Sequence, residues 1–250
     1  MKYSNLSLIY CLFIILLLGC KSSEETELET EACVSSEGKV TIMPLGASRV
    51  QGFRPVFESY RYALWKEIIN GDWSVDFVGT QKDIALYDSH QNYCFDYDHE
   101  GHSGWTSAQV NNQIGNWLNQ TETPDIVLFS SPGGNDALQG ASLESILPNI
   151  NAIIDKIQAH YPNVTILIEQ LAPAKSTFMN EELTAIFEQI QTVITEIAHN
   201  QTTATSKVIP VDMATGFSDD FLADNVHYNT AGAQFIAEKY YDKLIPYLEK

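Results

Sequence analysis

Basic residues are the scarcest class in this chain. Its 250 residues hold 14 Lys and Arg against 32 Asp and Glu, a formal net charge of −18. That balance excludes a nucleic-acid partner, whose phosphates need a basic face. It also disfavours electrostatic docking on anionic lipid. Cysteine is rare too, and 4 residues are too few for a disulfide scaffold. The apolar run Leu8 to Leu18 is too short to span a bilayer comfortably. What the chain does have is apolar mass. A hydrophobic content of 44%, with 11% aromatic, supplies a packed core and excludes global disorder.

The short apolar run belongs to an N-terminal address. Lys2 precedes it, and Leu17-Leu18-Gly19-Cys20 closes it. That tetrad resembles the lipobox of bacterial lipoproteins, in which cleavage precedes the Cys and its sulfur is acylated. The resemblance implies that residues 1–19 are a signal peptide and that Cys20 is the lipid anchor. The alternative is an ordinary signal peptide with an incidental cysteine. Residues 20–34, which include KSSEETELETE, carry like charges without apolar periodicity and read as a solvated acidic tether. The expected location is the bacterial cell envelope, on its periplasmic or outer face. Of the remaining cysteines, Cys33 and Cys94 survive cleavage. Outside the cytoplasm such a pair oxidises readily, so a Cys33–Cys94 bridge is expected. Two separate buried thiols are the other reading.

From residue 35 to 250 short apolar runs alternate with helical patterns. Strands are expected at 39–45, 74–78, 125–129, 164–168 and 208–211. Helices are expected at 60–69, 107–118, 143–160, 181–198 and 231–248. Strands this apolar are buried on both faces, which implies a mostly parallel five-stranded sheet in a three-layer α/β/α sandwich. No internal linker divides this region, so it reads as one domain. In such sheets sites form beyond the carboxyl ends of the strands.

Three of those ends carry reactive groups. Gly46-Ala47-Ser48 follows the first strand and can present a hydroxyl at the top of the sheet. Gly133-Gly134-Asn135-Asp136 follows the third and supplies an amide donor near close-packed backbone. Asp224-Asn225-Val226-His227 follows the fifth, and a carboxylate three residues before a His can fix its tautomer. Each block alone is compatible with ordinary turn chemistry. The histidine-rich loop 88–102 could be imagined around a divalent metal, but HEGH is not the HExxH zinc motif, and no metal is assigned.

Taken together, with HEGHSGWT at 99–106, the blocks resemble the SGNH hydrolases, also called the GDSL esterase/lipase superfamily. The order Ser48, Gly104, Asn135, His227 matches, and VDFVGT and HEGHSGWT look most like the acetylxylan-esterase branch, carbohydrate esterase family 3. The resemblance covers residues 39 to about 248. It implies a flavodoxin-like fold and a cofactor-free Ser48–His227–Asp224 triad. It also implies an oxyanion hole made by the Ser48 N–H, the Gly104 N–H and the Asn135 amide. One departure stands out: the first block usually reads Gly-Asp-Ser, and here Ala47 replaces the Asp. That carboxylate is not the triad acid, so the mechanism survives while a brace between loops is lost.

The resemblance implies a carboxylic ester hydrolase, with deacetylation of a polysaccharide or oligosaccharide as the leading expectation. A lysophospholipase or thioesterase of the same superfamily is the second reading. A weakened glycan-binding surface lipoprotein is the third. The only arginines are Arg49, Arg54 and Arg61, all just after Ser48. Arg61 reads as structural, whereas Arg49 and Arg54 are candidates for meeting an anionic substrate, with a local counterweight to the surrounding acid as the favoured alternative.

Overall fold

The computed structural model describes residues 33–35 and 40–248. The signal peptide, Cys20 and most of the tether lie outside the described residues. The elements run β1 (Val40–Gly46), α1 (Ser48–Gln51), α2 (Arg61–Asn70), β2 (Val75–Phe77), β3 (Gln81–Lys82), β4 (Asp98–Gly101), α3 (Ser107–Leu118), β5 (Ile126–Phe129), α4 (Gly134–Leu138), α5 (Leu143–His160), β6 (Thr165–Gln170), α6 (Glu181–Gln201), β7 (Lys207–Asp212) and α7 (Thr230–Leu244).

The five expected strands form a parallel sheet in the order β2-β1-β5-β6-β7. Two short strands enlarge it to seven. Strand β2 pairs only with the first residues of β1, and β4 takes over the same edge beside Leu45 and Gly46. Strand β3 then adds antiparallel to β4. Both were expected as loop. Their polar residues hide the strand signal: β3 is a two-residue edge strand, and in β4 the buried His99 and Glu100 stand where apolar residues would announce an inner strand.

Side chains alternate across this sheet as strand geometry requires. Val40, Ile42, Ile126 and Leu128 join the core under α2 and α7. Met43, Leu45, Val127 and Phe129 join the core under α3, α5 and α6. Three of the helices begin on side-chain caps: Thr106 with Gln109 for α3, Asn180 for α6 and Asn229 for α7. The last helix ends at Leu244 rather than 248, since Pro246 has no N–H to continue it; Ile245–Tyr247 tightens to a 3-10 turn. The Cys33 and Cys94 sulfurs are bonded, with Cα atoms 5.0 Å apart. Among the described residues no helix is long and apolar enough to cross a membrane.

Candidate active site

Strand β1 delivers Ser48. Gly46 passes so close to its neighbours that an added Cβ would sit 2.8 Å from the Ser130 carbonyl oxygen and from a Val50 methyl. The chain then turns directly into α1, whose first residue is Ser48. At that position the Ser48 N–H belongs to the unpaired donors of a helix start.

The loop after β7 delivers the histidine. Asp224 folds the loop on itself: its Oδ1 accepts the N–H groups of Val226 and His227, each at 2.8 Å. Its Oδ2 lies 2.7 Å from His227 Nδ1. The other ring nitrogen, Nε2, lies 2.9 Å from Ser48 Oγ. Burial alone would raise the Asp224 pKa, but the Val226 N–H, the His227 ring and the His227 N–H outweigh it and hold the carboxyl below its usual value. The Phe57 ring stacks on His227, with centroids 3.9 Å apart and an interplanar angle of 14°. Backbone bonds pin that contact, since Glu58 N–H donates to the Tyr228 carbonyl.

The loop after β5 delivers Asn135. Gly133 adopts a left-handed φ of 75° and packs so tightly that a Cβ would meet Ile146 at 2.6 Å. Asn135 Nδ2 donates to the Trp105 carbonyl at 2.8 Å. The neighbouring Ser103 N–H donates to Gln51 Oε1 at 2.8 Å. The Gly104 peptide is therefore pinned on both sides, from the Ser48 helix and from Asn135. Gly104 itself has φ 78° with open space where a Cβ would stand, so its glycine serves conformation rather than clearance.

Supports of this end of the sheet went unread in the sequence. Asp136 accepts both the N–H and the hydroxyl of Ser107, each at 2.7 Å, which ties the Asn135 loop to the start of α3. Glu169, buried at the end of β6, accepts the Ser131 N–H at 2.7 Å. Burial pushes its carboxyl upward against the Ser131 bond and the Arg49 charge. A small cavity beside Ala47 is lined by Trp105, Ser107, Asn135 and Asp136, next to the Asp136–Ser107 bonds that tie these loops together. The block GGND was visible; that its last residue braces α3 had no signal of its own.

The arginines are committed within the protein, which corrects the expectation of a substrate-facing basic pair. Arg49 donates to the carbonyls of Val226, Ala172 and Pro173 and lies over the Tyr228 ring. It braces the His227 loop from below. Arg54 pairs with Glu58 and covers Tyr62 and Tyr87. Arg61 is fully buried and bonds Asp83 and the carbonyls of Val50 and Gln51, the structural role expected of it. The histidines of loop 88–102 are spread apart. His90 meets Asn70, the buried His99 accepts the Gly101 N–H, and His102 pairs with Glu100. Among the described residues no group of three metal-ligating side chains converges.

Ser48 and Asn135 open on a pocket of about 40 Å³, lined by Leu138, Leu171, Phe187 and Val226. The model of the GDSL-like lipase/acylhydrolase family matches residues 79–235, a segment that holds Gly104, Asn135, Asp224 and His227 and starts after Ser48. The chain belongs to that family. As a GDSL-like hydrolase it is a carboxylic ester hydrolase. A carbohydrate esterase family 3 structure from Talaromyces cellulolyticus shares 33% identity at a TM-score of 0.72, covering 83% of this chain and 97% of that one. An acetyl esterase mutant crystallised with acetate ion shares 32% at 0.72, covering 83% and 97%. The family 3 esterase of Clostridium thermocellum shares 30% at 0.68, covering 83% and 96%. Among curated proteins none matches.

Proposed function

We propose that this hydrolase removes acetyl groups from a polysaccharide or oligosaccharide by serine catalysis. The observation that carries the reading is the continuous hydrogen-bond chain Ser48–His227–Asp224 at the mouth of a small apolar pocket. His227 Nε2 takes the Ser48 proton as Oγ attacks the ester carbonyl. The oxyanion is met by the Ser48 N–H, the Gly104 N–H and the second amide hydrogen of Asn135, whose first is held by Trp105. The tetrahedral centre collapses, and His227 gives the proton to the departing alcohol. Water, activated by the same imidazole, then frees acetate from Ser48. Asp224 keeps the imidazole in the required tautomer and stabilises its cation. No cofactor enters.

Two features support acetyl over long acyl groups and a sugar over a simple alcohol. The pocket has room for about three water-sized groups, which fits a two-carbon acyl group. The alcohol must lie on the His227 side to receive its proton. There Phe57 covers the ring, and Phe53 and Val56 of the same turn are each 60% exposed. The apolar face of a pyranose suits such a platform. Carbohydrate esterases among the structural neighbours point the same way.

The test is a chain-length series of p-nitrophenyl esters with the wild type and Ser48→Ala. Acetate preference lost in Ser48→Ala supports the reading. Preference for long acyl chains moves the protein to the lysophospholipase reading, and activity surviving in Ser48→Ala overturns the nucleophile. We further propose that Cys20 anchors the exported enzyme to the envelope; Cys20→Ala should move it from the membrane to the soluble fraction.

A further inference from the structure

Two cavities of very different size share one side chain. The pocket beside Ser48 encloses about 40 Å³. A groove of about 550 Å³ runs along α6 and the α4–α5 connection, lined in part by Leu143, Phe178, Leu183 and Ile186. Leu138 lines both. It is the last residue of α4, a five-residue helix fixed at its start by left-handed Gly133 and by the Asp136–Ser107 bonds. Its half-buried side chain packs against the same buried core that Met179, Leu183 and Ile186 pack against. The helix is followed by left-handed Gly140, and the Ala141 N–H bonds back to the Asp136 carbonyl, so its end cannot drift far.

We propose that Leu138 is the stop that limits the acyl group to two or three carbons. This inference rests on the reading of Ser48 as nucleophile with its acyl group in the small pocket. A wall of backbone would be insensitive to side-chain changes. A wall made by one aliphatic side chain is not. Shortening Leu138 joins the pocket to the groove, and an acyl chain that now ends at Leu138 can run on toward Leu183 and Ile186. Lengthening it closes the pocket further. Leu143, Phe178, Leu183 and Ile186 form the apolar part of the groove wall, so each methylene laid along them gains burial.

The experiment uses the purified full chain with p-nitrophenyl acetate, butyrate, hexanoate and octanoate. Leu138→Ala and the milder Leu138→Val are compared with Leu138→Phe, each checked for folding by circular dichroism. One methylene in an apolar pocket discriminates by about tenfold or more. The octanoate-to-acetate ratio of kcat/KM should therefore rise at least about tenfold in Leu138→Ala, mainly through a lower KM for octanoate, and less in Leu138→Val. It should fall in Leu138→Phe. Folded variants whose ratio stays within about twofold of wild type overturn the stop, as does a shift in one direction for both shorter and longer side chains. A wild type inactive on every ester overturns the stop and the esterase reading together; an active wild type with unmoved ratios overturns the stop alone.

Discussion

Asp224 in the His227 loop and Asp96 in the disulfide-bridged loop begin with similar local chemistry and end in opposite states. Each carboxylate accepts two backbone N–H groups: Asp224 from Val226 and His227, Asp96 from Phe77 and Asp98. Asp224 is held below the ordinary carboxylate value and Asp96 is pushed up to about 6. Depth and company make the difference. Asp224 is about half exposed and has the imidazole as a third partner. Asp96 is half-buried beside Asp76 and Asp98, and the Lys82 that pairs with Asp98 stands in solvent. Two backbone donors lower a carboxyl pKa in both loops, but at Asp96 burial and two neighbouring carboxylates outweigh them.

The largest break in that comparison is Asp224→Asn. Without a carboxylate the His227 tautomer is no longer fixed, and kcat should fall by roughly 10⁴, read with p-nitrophenyl acetate. The thermal midpoint should move little, because Asp224 is exposed. Next is the bridge that holds the other loop. Cys33 and Cys94 are 61 residues apart, and a loop of that length stabilises by about 4 kcal/mol on the chain-entropy view. Reduction, or Cys94→Ser, should lower denaturation stability by about that amount while esterase activity at room temperature persists. Third, Asn135→Ala should cost about 3 kcal/mol in transition-state stabilisation, a hundredfold or more in kcat. A loss confined to KM would overturn the oxyanion role.

The two regions also differ in how far the sequence discloses them. The Ser48–His227 end of the sheet was legible because its residues come in short blocks at strand ends: Ser48 after β1, Asn135 after β5, Asp224 and His227 after β7. Periodicity located those strands, and their burial on both faces removed ambiguity. What stayed hidden depends on pairings distant in sequence. Phe57 reaches His227 although the two stand far apart in the chain. Glu169 meets Ser131 from a neighbouring strand. Arg49 beside Ser48 has two uses that its sequence position leaves open, substrate contact or local support, and only the carbonyls of Ala172, Pro173 and Val226 show the second. Around the disulfide the polar strands β3 and β4 read as coil, and nothing in the order of residues announces that the charges of Asp76 and Asp98 both act on Asp96.

The smallest prediction sharpens that last point. Burial is the main cause of the high Asp96 value, opposed by the Phe77 and Asp98 N–H groups and reinforced by the Asp76 and Asp98 charges. The folded value of about 6 lies above the ordinary 3.8. The folded state therefore holds its proton more tightly than the unfolded chain. The resulting stability is fully present below about pH 4 and is lost as pH rises through 6. Between pH 4.5 and 7.5 that loss amounts to no more than about 2 kcal/mol, less whatever solvent screening removes at a half-buried site. Asp96→Asn cannot ionise, and its amide oxygen can still accept one of the two N–H groups. Denaturant unfolding at the two pH values should show the variant gaining on the wild type as pH rises. Asp224→Asn should show the opposite sign, losing ground to the wild type as pH rises through the acid range, because its carboxylate is favoured by folding. A common sign for both substitutions would mean that the imidazole and the exposure of Asp224 do not separate the two loops.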